Sequence, residues 1–236
     1  MSVTNFIKKN VKIIFVYMIV LHLFSVLLII KTDFIPKLKS KIEFSAPASL
    51  YHTMIKFHQW MDDSVPVNAI IFLGDSITQG LATAAVAPYT INYGIGGLGT
   101  EELLDALASY KSLHRASAIV LMIGVNDLQY NKVGLSERYA KILDALPQDI
   151  PLIWNGVMPA KHNNINMSDI IDANREIQKL CLARRGCTFI DTSLFLVGNN
   201  GQIIESKFLS DGTHLSRKGY ESWISELQMA LKMLPL

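Results

Sequence analysis

The sequence predicts an α/β domain built on a mostly parallel sheet with helices on both faces. Three observations carry this expectation. Five short apolar runs of strand type recur between residues 69 and 192, helix-type segments separate them, and 236 residues suffice for a core that stands without disulfides. Parallel strands need crossover connections, and helices in those connections cover the sheet faces.

Taken in order, the chain opens with a basic tail over residues 1–12, where Lys8, Lys9 and Lys12 precede an apolar run. From Ile13 to Ile30 there are 18 residues without a formal charge, and only His22 and Ser25 interrupt their apolar character. At 1.5 Å per residue that run is roughly 27 Å long, enough for a bilayer core. It is too long for a signal-peptide core, and "KTDFIPKLKSK" follows it instead of an early small-residue cleavage site. Residues 13–30 are therefore expected to form an uncleaved transmembrane signal-anchor. Lysines flank the run on both sides, so the positive-inside rule divides. The short, acid-free N-terminal flank favours a domain outside the cytoplasm, in the periplasm or beyond.

Residues 31–47, with Pro36 and Pro47, read as a linker, and 48–236 as the folded domain. "SLYHTMIKFHQWMDD" sets Leu50, Met54, Phe57 and Met61 at helical spacing, which predicts an amphipathic helix packed on the domain. The expected strands are "AIIFLG" (69–74), "TINY" (90–93), "AIVLMIG" (118–124), "PLIWNGV" (151–157) and "CTFIDT" (187–192). Helices are expected near 99–112, 134–146 and 168–183, and "SRKGYESWISELQMALKML" reads as a closing helix.

The overall charge of +2 divides unevenly. Residues 1–41 hold seven lysines and one acid, so the remainder carries 15 basic and 19 acidic side chains, a balance of −4. A mildly acidic domain without a basic run makes no electrostatic case for nucleic acid. Only Cys181 and Cys187 are present, too few for a metal cage. They could close a small loop outside the cytoplasm or remain two half-buried thiols. No metal site is expected, because no cluster of ligands is visible.

Gly94-x-Gly96-x-x-Gly99, in "NYGIGGLGTEELL", has the form of a dinucleotide fingerprint. Such a motif follows the first strand of its unit and is answered by an acid about 20 residues later. Here an earlier strand precedes it, and no acid occurs until Asp127. No nucleotide or other cofactor is expected.

In open α/β sheets the carboxyl ends of the strands carry ligands. The first strand ends in Gly74-Asp75-Ser76-Ile77-Thr78, the third in Gly124-Val125-Asn126-Asp127, and "DGTHLS" sets Asp211 three residues before His214. A serine, an aspartate and a histidine in that order are the ingredients of nucleophilic acyl transfer.

"FLGDSIT", "NYGIGG", "IGVND" and "DGTHLS" together resemble four ordered blocks of the SGNH hydrolases, or GDSL esterases and lipases. The "GIGG" form is similar to that of the platelet-activating-factor acetylhydrolase-like branch. The resemblance spans residues 69–220 and implies a three-layer α/β/α sandwich with a five-stranded flavodoxin-like sheet. It implies that Ser76 is the nucleophile, that His214 is general base and then acid, and that Asp211 orients His214. The backbone N–H groups of Ser76 and Gly97 and the side chain of Asn126 would bind the oxyanion. Many relatives have an aspartate where this chain has Leu98, which opens the question of how the glycine loop is held.

Other readings stand beside these. Ser76 could cap the helix after the first strand. Asp75 and Asp127 fit loop-holding hydrogen bonds better than chemistry. His22 fits a helix contact, and His52, His58, His114 and His162 have no evident partners in the sequence. The function implied is a serine esterase acting on small acyl esters, with acetyl groups on a cell-surface glycan first and lipid esters second. An O-acyltransferase with the same triad, or a glycan- or lipid-binding module without catalysis, are the alternatives.

Overall fold

All five expected strands form, and they lie side by side in parallel in the order β2-β1-β3-β4-β5. They are β1 (Ile70–Gly74), β2 (Thr90–Gly94), β3 (Ala118–Met122), β4 (Leu152–Asn155) and β5 (Cys187–Ile190). This computed structural model describes residues 3–31, 50–130, 132–161 and 165–234. The expected linker lies outside the described residues apart from Lys31, as does His162.

Chain contacts divide the protein into two units, residues 1–50 and 51–236. In the first, helix α1 (Val3–Lys31) contains the run expected to cross a membrane. Its side chains are described without a break only over 13–25. Among the described residues no helix is long and apolar enough to cross a membrane. The spanning signal-anchor expected over residues 13–30 is thus not shown by the described residues. His22 Nδ1 and Ser25 Oγ turn back to the carbonyls of Met18 and Leu21 within the same helix.

In the second unit, β1 and β3 are buried at every position, as strands covered on both faces must be. The helices between strands are α3 (Ser76–Gln79), α4 (Thr100–Leu107), α5 (Val125–Gln129), α6 (Leu135–Ala145) and α7 (Met167–Ala183). After β5 come α8 (Ser193–Leu196) and α9 (Arg217–Met233). Helices α4, α6 and α7 pack on one another in sequence, while α9 packs with α8 and reaches α3 through Tyr220, whose hydroxyl donates to Ile77 O at 2.9 Å. On α9, Trp223 is fully buried, and its indole N–H donates to Asn155 Oδ1 of β4 at 2.9 Å.

The helix over 50–62 (α2) forms and packs on the core through Met54, with Tyr51 and Ile55, but the rest of the expected stripe stays outside. Leu50, Phe57 and Met61 are exposed, while His58 and Asp62 are buried. Asp62 accepts from Tyr93 Oη and from the N–H and hydroxyl of Ser112. His58 meets the hydroxyl of Tyr110 at 3.1 Å, and burial pushes its pKa down to about 4. Polar residues occupy the buried face because each finds a fixed partner there, which makes their desolvation tolerable.

Cys181 and Cys187 form a disulfide between α7 and the start of β5, which settles the choice left open above.

Candidate active site

β2 lies on one side of β1 and β3 on the other, so the chain reverses its direction of winding beside β1. The carboxyl ends of these three strands share one register, with Gly74 opposite both Gly94 and Met122. Ligands of such sheets bind at this switch point. The turns leaving the three ends carry Ser76, the glycine loop and Asn126.

Ser76 opens α3, but the cap is Asp75, whose side chain accepts from Ile77 N at 2.9 Å. The serine is thus free of the capping duty that was its alternative reading. Its Oγ lies 2.9 Å from His214 Nε2, although the two residues are 138 positions apart. His214 Nδ1 lies 2.8 Å from Asp211 Oδ2. The structure therefore brings Ser76, His214 and Asp211 into one hydrogen-bonded chain.

The loop holding the last two is braced. Phe208 pairs with Leu215, Leu209 N donates to His214 O at 2.8 Å, and Gly212 turns with φ near +68° while its carbonyl accepts from Lys161 N. Asp211 Oδ1 also accepts from the backbone N–H groups of Thr213 and His214, each at 2.9 Å. Desolvation raises the Asp211 pKa, but these N–H groups and the His214 ring outweigh it and hold the carboxyl at about 2.

The glycine loop runs beside Ser76: a Cβ placed on Gly96 would lie 3.9 Å from Ser76 Cβ. Gly97 has φ +75°, a conformation natural to glycine, and open space where a side chain would stand. Among the described residues, the N–H groups of Ser76 and Gly97 have no hydrogen-bond partner. Asn126 donates one side-chain N–H to Leu98 O at 2.9 Å, so it sits against the glycine loop.

Leu98 is buried in the core, and other residues answer the question that its identity raised. Asp127, fully buried, accepts from Thr100 N at 3.0 Å and from Thr100 Oγ1 at 2.7 Å. Arg138 donates to Thr100 Oγ1 at 2.6 Å and to Asp127 Oδ1 at 3.3 Å. Both aspartates of the strand-end turns, Asp75 and Asp127, thus hold backbone. Sequence reasoning missed Gln79, Thr100 and Arg138, whose partners are backbone atoms or distant residues; only Gln79 gave a signal, its i+3 spacing from Ser76.

Asp75 is also fully buried, and its Oδ2 has no partner among the described residues. Burial pushes its pKa up to about 7, against the opposing Ile77 N–H. The folded state therefore binds this proton more tightly than the unfolded chain. Its contribution to stability is complete below the ordinary carboxyl value near 4 and is lost as pH rises through about 7. Asp211 works the opposite way, contributing above about 4 and losing that contribution as pH falls through about 2. Asp75→Asn, which cannot ionise, should flatten the decline between about pH 4 and 7. Melting temperatures of the two proteins across that range would check this, and parallel curves would refute it.

Among the described residues, no group of three or more His, Cys, Asp or Glu side chains could hold a metal ion.

The GDSL-like Lipase/Acylhydrolase family model matches residues 72–221. Human platelet-activating factor acetylhydrolase IB subunit alpha1 is 25% identical over 179 residues, which cover 69% of this chain and 75% of that protein. Among solved structures, a Streptococcus pneumonia protein with a provisional platelet-activating-factor name aligns with TM-score 0.72 and 21% identity, covering 83% of this chain and 97% of that one. An acetyl xylan esterase from Geobacillus stearothermophilus aligns with TM-score 0.56 and 16% identity, over 72% and 96%. At these identities the two structures establish a shared fold.

Proposed function

The chain belongs to the GDSL-like lipase/acylhydrolase family, and from that premise we propose that it is a serine esterase removing small acyl groups, acetyl above all, through an acyl-enzyme intermediate. The observation that carries this reading is the continuous hydrogen-bonded chain Ser76–His214–Asp211 at a strand-end switch point.

In the first half-reaction Ser76 Oγ attacks the ester carbonyl while His214 Nε2 takes its proton. Asp211 holds the other ring nitrogen and stabilises the imidazolium that forms. The carbonyl oxygen gains charge in the tetrahedral intermediate, and the free N–H groups of Ser76 and Gly97, with Asn126, are the donors suited to it. His214 then protonates the departing alcohol. Water then attacks the acyl carbonyl as His214 Nε2 takes its proton, the bond to Oγ breaks, and His214 returns the proton to Ser76 Oγ as the acid departs.

Two relatives support an acetyl substrate, since the names of both contain that group: a platelet-activating factor acetylhydrolase and an acetyl xylan esterase. A glycan or lipid ester at the cell surface fits a domain outside the cytoplasm. That location is supported by the Cys181–Cys187 disulfide and by the apolar run of residues 13–30 behind a basic flank. Alkylation of cell-derived protein without reductant should leave both cysteines unmodified; rapid labelling of both would count against this location.

The function is tested with p-nitrophenyl esters of two, four, eight and twelve carbons. Turnover should be greatest with the acetyl ester and release one acid per phenol. Preference for the long chains would make the protein a lipase. Recovery of the acyl group on an added sugar rather than as free acid would make it an acyltransferase.

A further inference from the structure

The glycine loop has five successive backbone donors, and four of them are engaged. Ile95 N donates to Gly74 O at 3.0 Å, Leu98 N to Ile95 O at 3.1 Å, and Gly99 N to Glu102 Oε2 at 3.1 Å. Gly96 N donates to the side-chain oxygen of Gln79 at 2.8 Å. Among the described residues, Gly97 N alone has no partner. Three of the four engaged donors are tied to backbone or to the helix that follows. The fourth is tied to α3, the helix that begins with Ser76.

Gln79 is placed for this by close packing. Gly94 leaves no room for a Cβ, which would come within 2.3 Å of Gln79 N and 2.7 Å of Gln79 Cα. Asn92 Nδ2 donates to Thr78 O at 2.8 Å and to Gln79 O at 3.4 Å, while its oxygen accepts from Gly94 N. The end of β2 and the backbone of α3 are therefore in fixed register. From that backbone a glutamine reaches Gly96 N, and an asparagine would fall one methylene short. The position a Gly96 Cβ would take lies 3.0 Å from Gln79 Oε1 and 3.9 Å from Ser76 Cβ, so this bond is made beside the serine itself.

We propose that Gln79 is a positioning residue: it latches the glycine loop to the serine-bearing helix through Gly96 N–H, leaving Gly97 N–H as the loop's one free donor. The catalytic consequence rests on the reading of Gly97 as an oxyanion donor. Glycine pairs have unusual backbone freedom, and without the latch residues 96 and 97 regain it. A donor displaced by about 1 Å loses much of its effect on the transition state while ground-state binding changes little.

The test compares the full-length chain with Gln79→Met, which keeps length but accepts no hydrogen bond, and with Gln79→Glu, which restores an acceptor of the same reach. Gln79 is exposed, so neither variant should alter the melting temperature appreciably. Residue-resolved amide exchange should show Gly96 protected in the wild type and in Gln79→Glu, and unprotected in Gln79→Met. With p-nitrophenyl acetate, Gln79→Met should lower kcat by about 10- to 100-fold with KM within about threefold. Unprotected Gly96 in the wild type, or an unchanged kcat in Gln79→Met, would overturn the proposal. A wild-type chain without serine-dependent turnover would remove the esterase reading instead, and the Gly96 exchange would still decide whether the latch exists.

Discussion

Ser76→Ala is expected to lower kcat for p-nitrophenyl acetate by roughly four to six orders of magnitude while leaving the fold intact. The size of the effect follows from the chemistry. Without Oγ there is no acyl-enzyme, and what remains is attack by water aided by the free N–H donors and by bound geometry. The small cost to stability follows from the local structure. Asp75, not Ser76, caps α3, and the hydroxyl's one hydrogen bond reaches His214 in a half-exposed loop. Stability should therefore change by less than about 1 kcal/mol. Steady-state kinetics beside a thermal melt, with labelling by a serine-directed fluorophosphonate, would check both halves. A variant that is folded and keeps more than a tenth of the wild-type rate would exclude Ser76 as the nucleophile.

Much of the fold was legible because the strands announce themselves. "AIVLM" and "LIWN" are buried on both faces, so they read as unbroken apolar runs, and the turns at their ends stand out by contrast. Ser76, Asn126, Asp211 and His214 were legible for the same reason, since each lies in a polar turn after a strand or before the closing helix. The failures have one physical cause. On α2 the periodicity of apolar residues pointed to Leu50, Met54, Phe57 and Met61, yet only Met54 of these packs on the core, and the most deeply buried positions are His58 and Asp62. A polar side chain goes inside when partners compensate its desolvation, and Tyr93, Tyr110 and Ser112 lie 31 to 52 positions away in the chain. Hydrophobic period cannot register such compensation. Gln79, Thr100 and Arg138 were missed likewise, because their value lies in backbone amides and partners brought near only by the fold.

The second large effect is expected at Asp127, where truncation to alanine should destabilise the domain by about 3–5 kcal/mol and loosen the site with it. Asp127 is fully buried, and it holds both the N–H and the hydroxyl of Thr100. Arg138 closes the ring by donating to Thr100 Oγ1 and to Asp127 itself, with its own side chain mostly enclosed. Removing the carboxylate would leave the buried N–H of Thr100 without its acceptor and take the carboxylate away from a mostly enclosed guanidinium, which would keep Thr100 Oγ1 and the Val133 carbonyl; both losses are costly. The damage would not stay local. Thr100 begins α4 directly after the glycine loop, and Asn126, next to Asp127 in α5, holds Leu98 O. Asp127 thus fixes both ends of the path between Asn126 and Gly97. Asp127→Asn, which keeps an acceptor for Thr100 but loses the attraction for Arg138, should fall between the wild type and alanine in stability. Chemical denaturation gives the stability ranking, and kcat measured well below each variant's melting temperature separates a loosened site from simple unfolding. An alanine variant that melts like the wild type would show that the ring around Thr100 is dispensable. The glycine loop would then rest on Gln79, on Asn126, and on its own backbone hydrogen bonds, including those to Gly74 and Glu102.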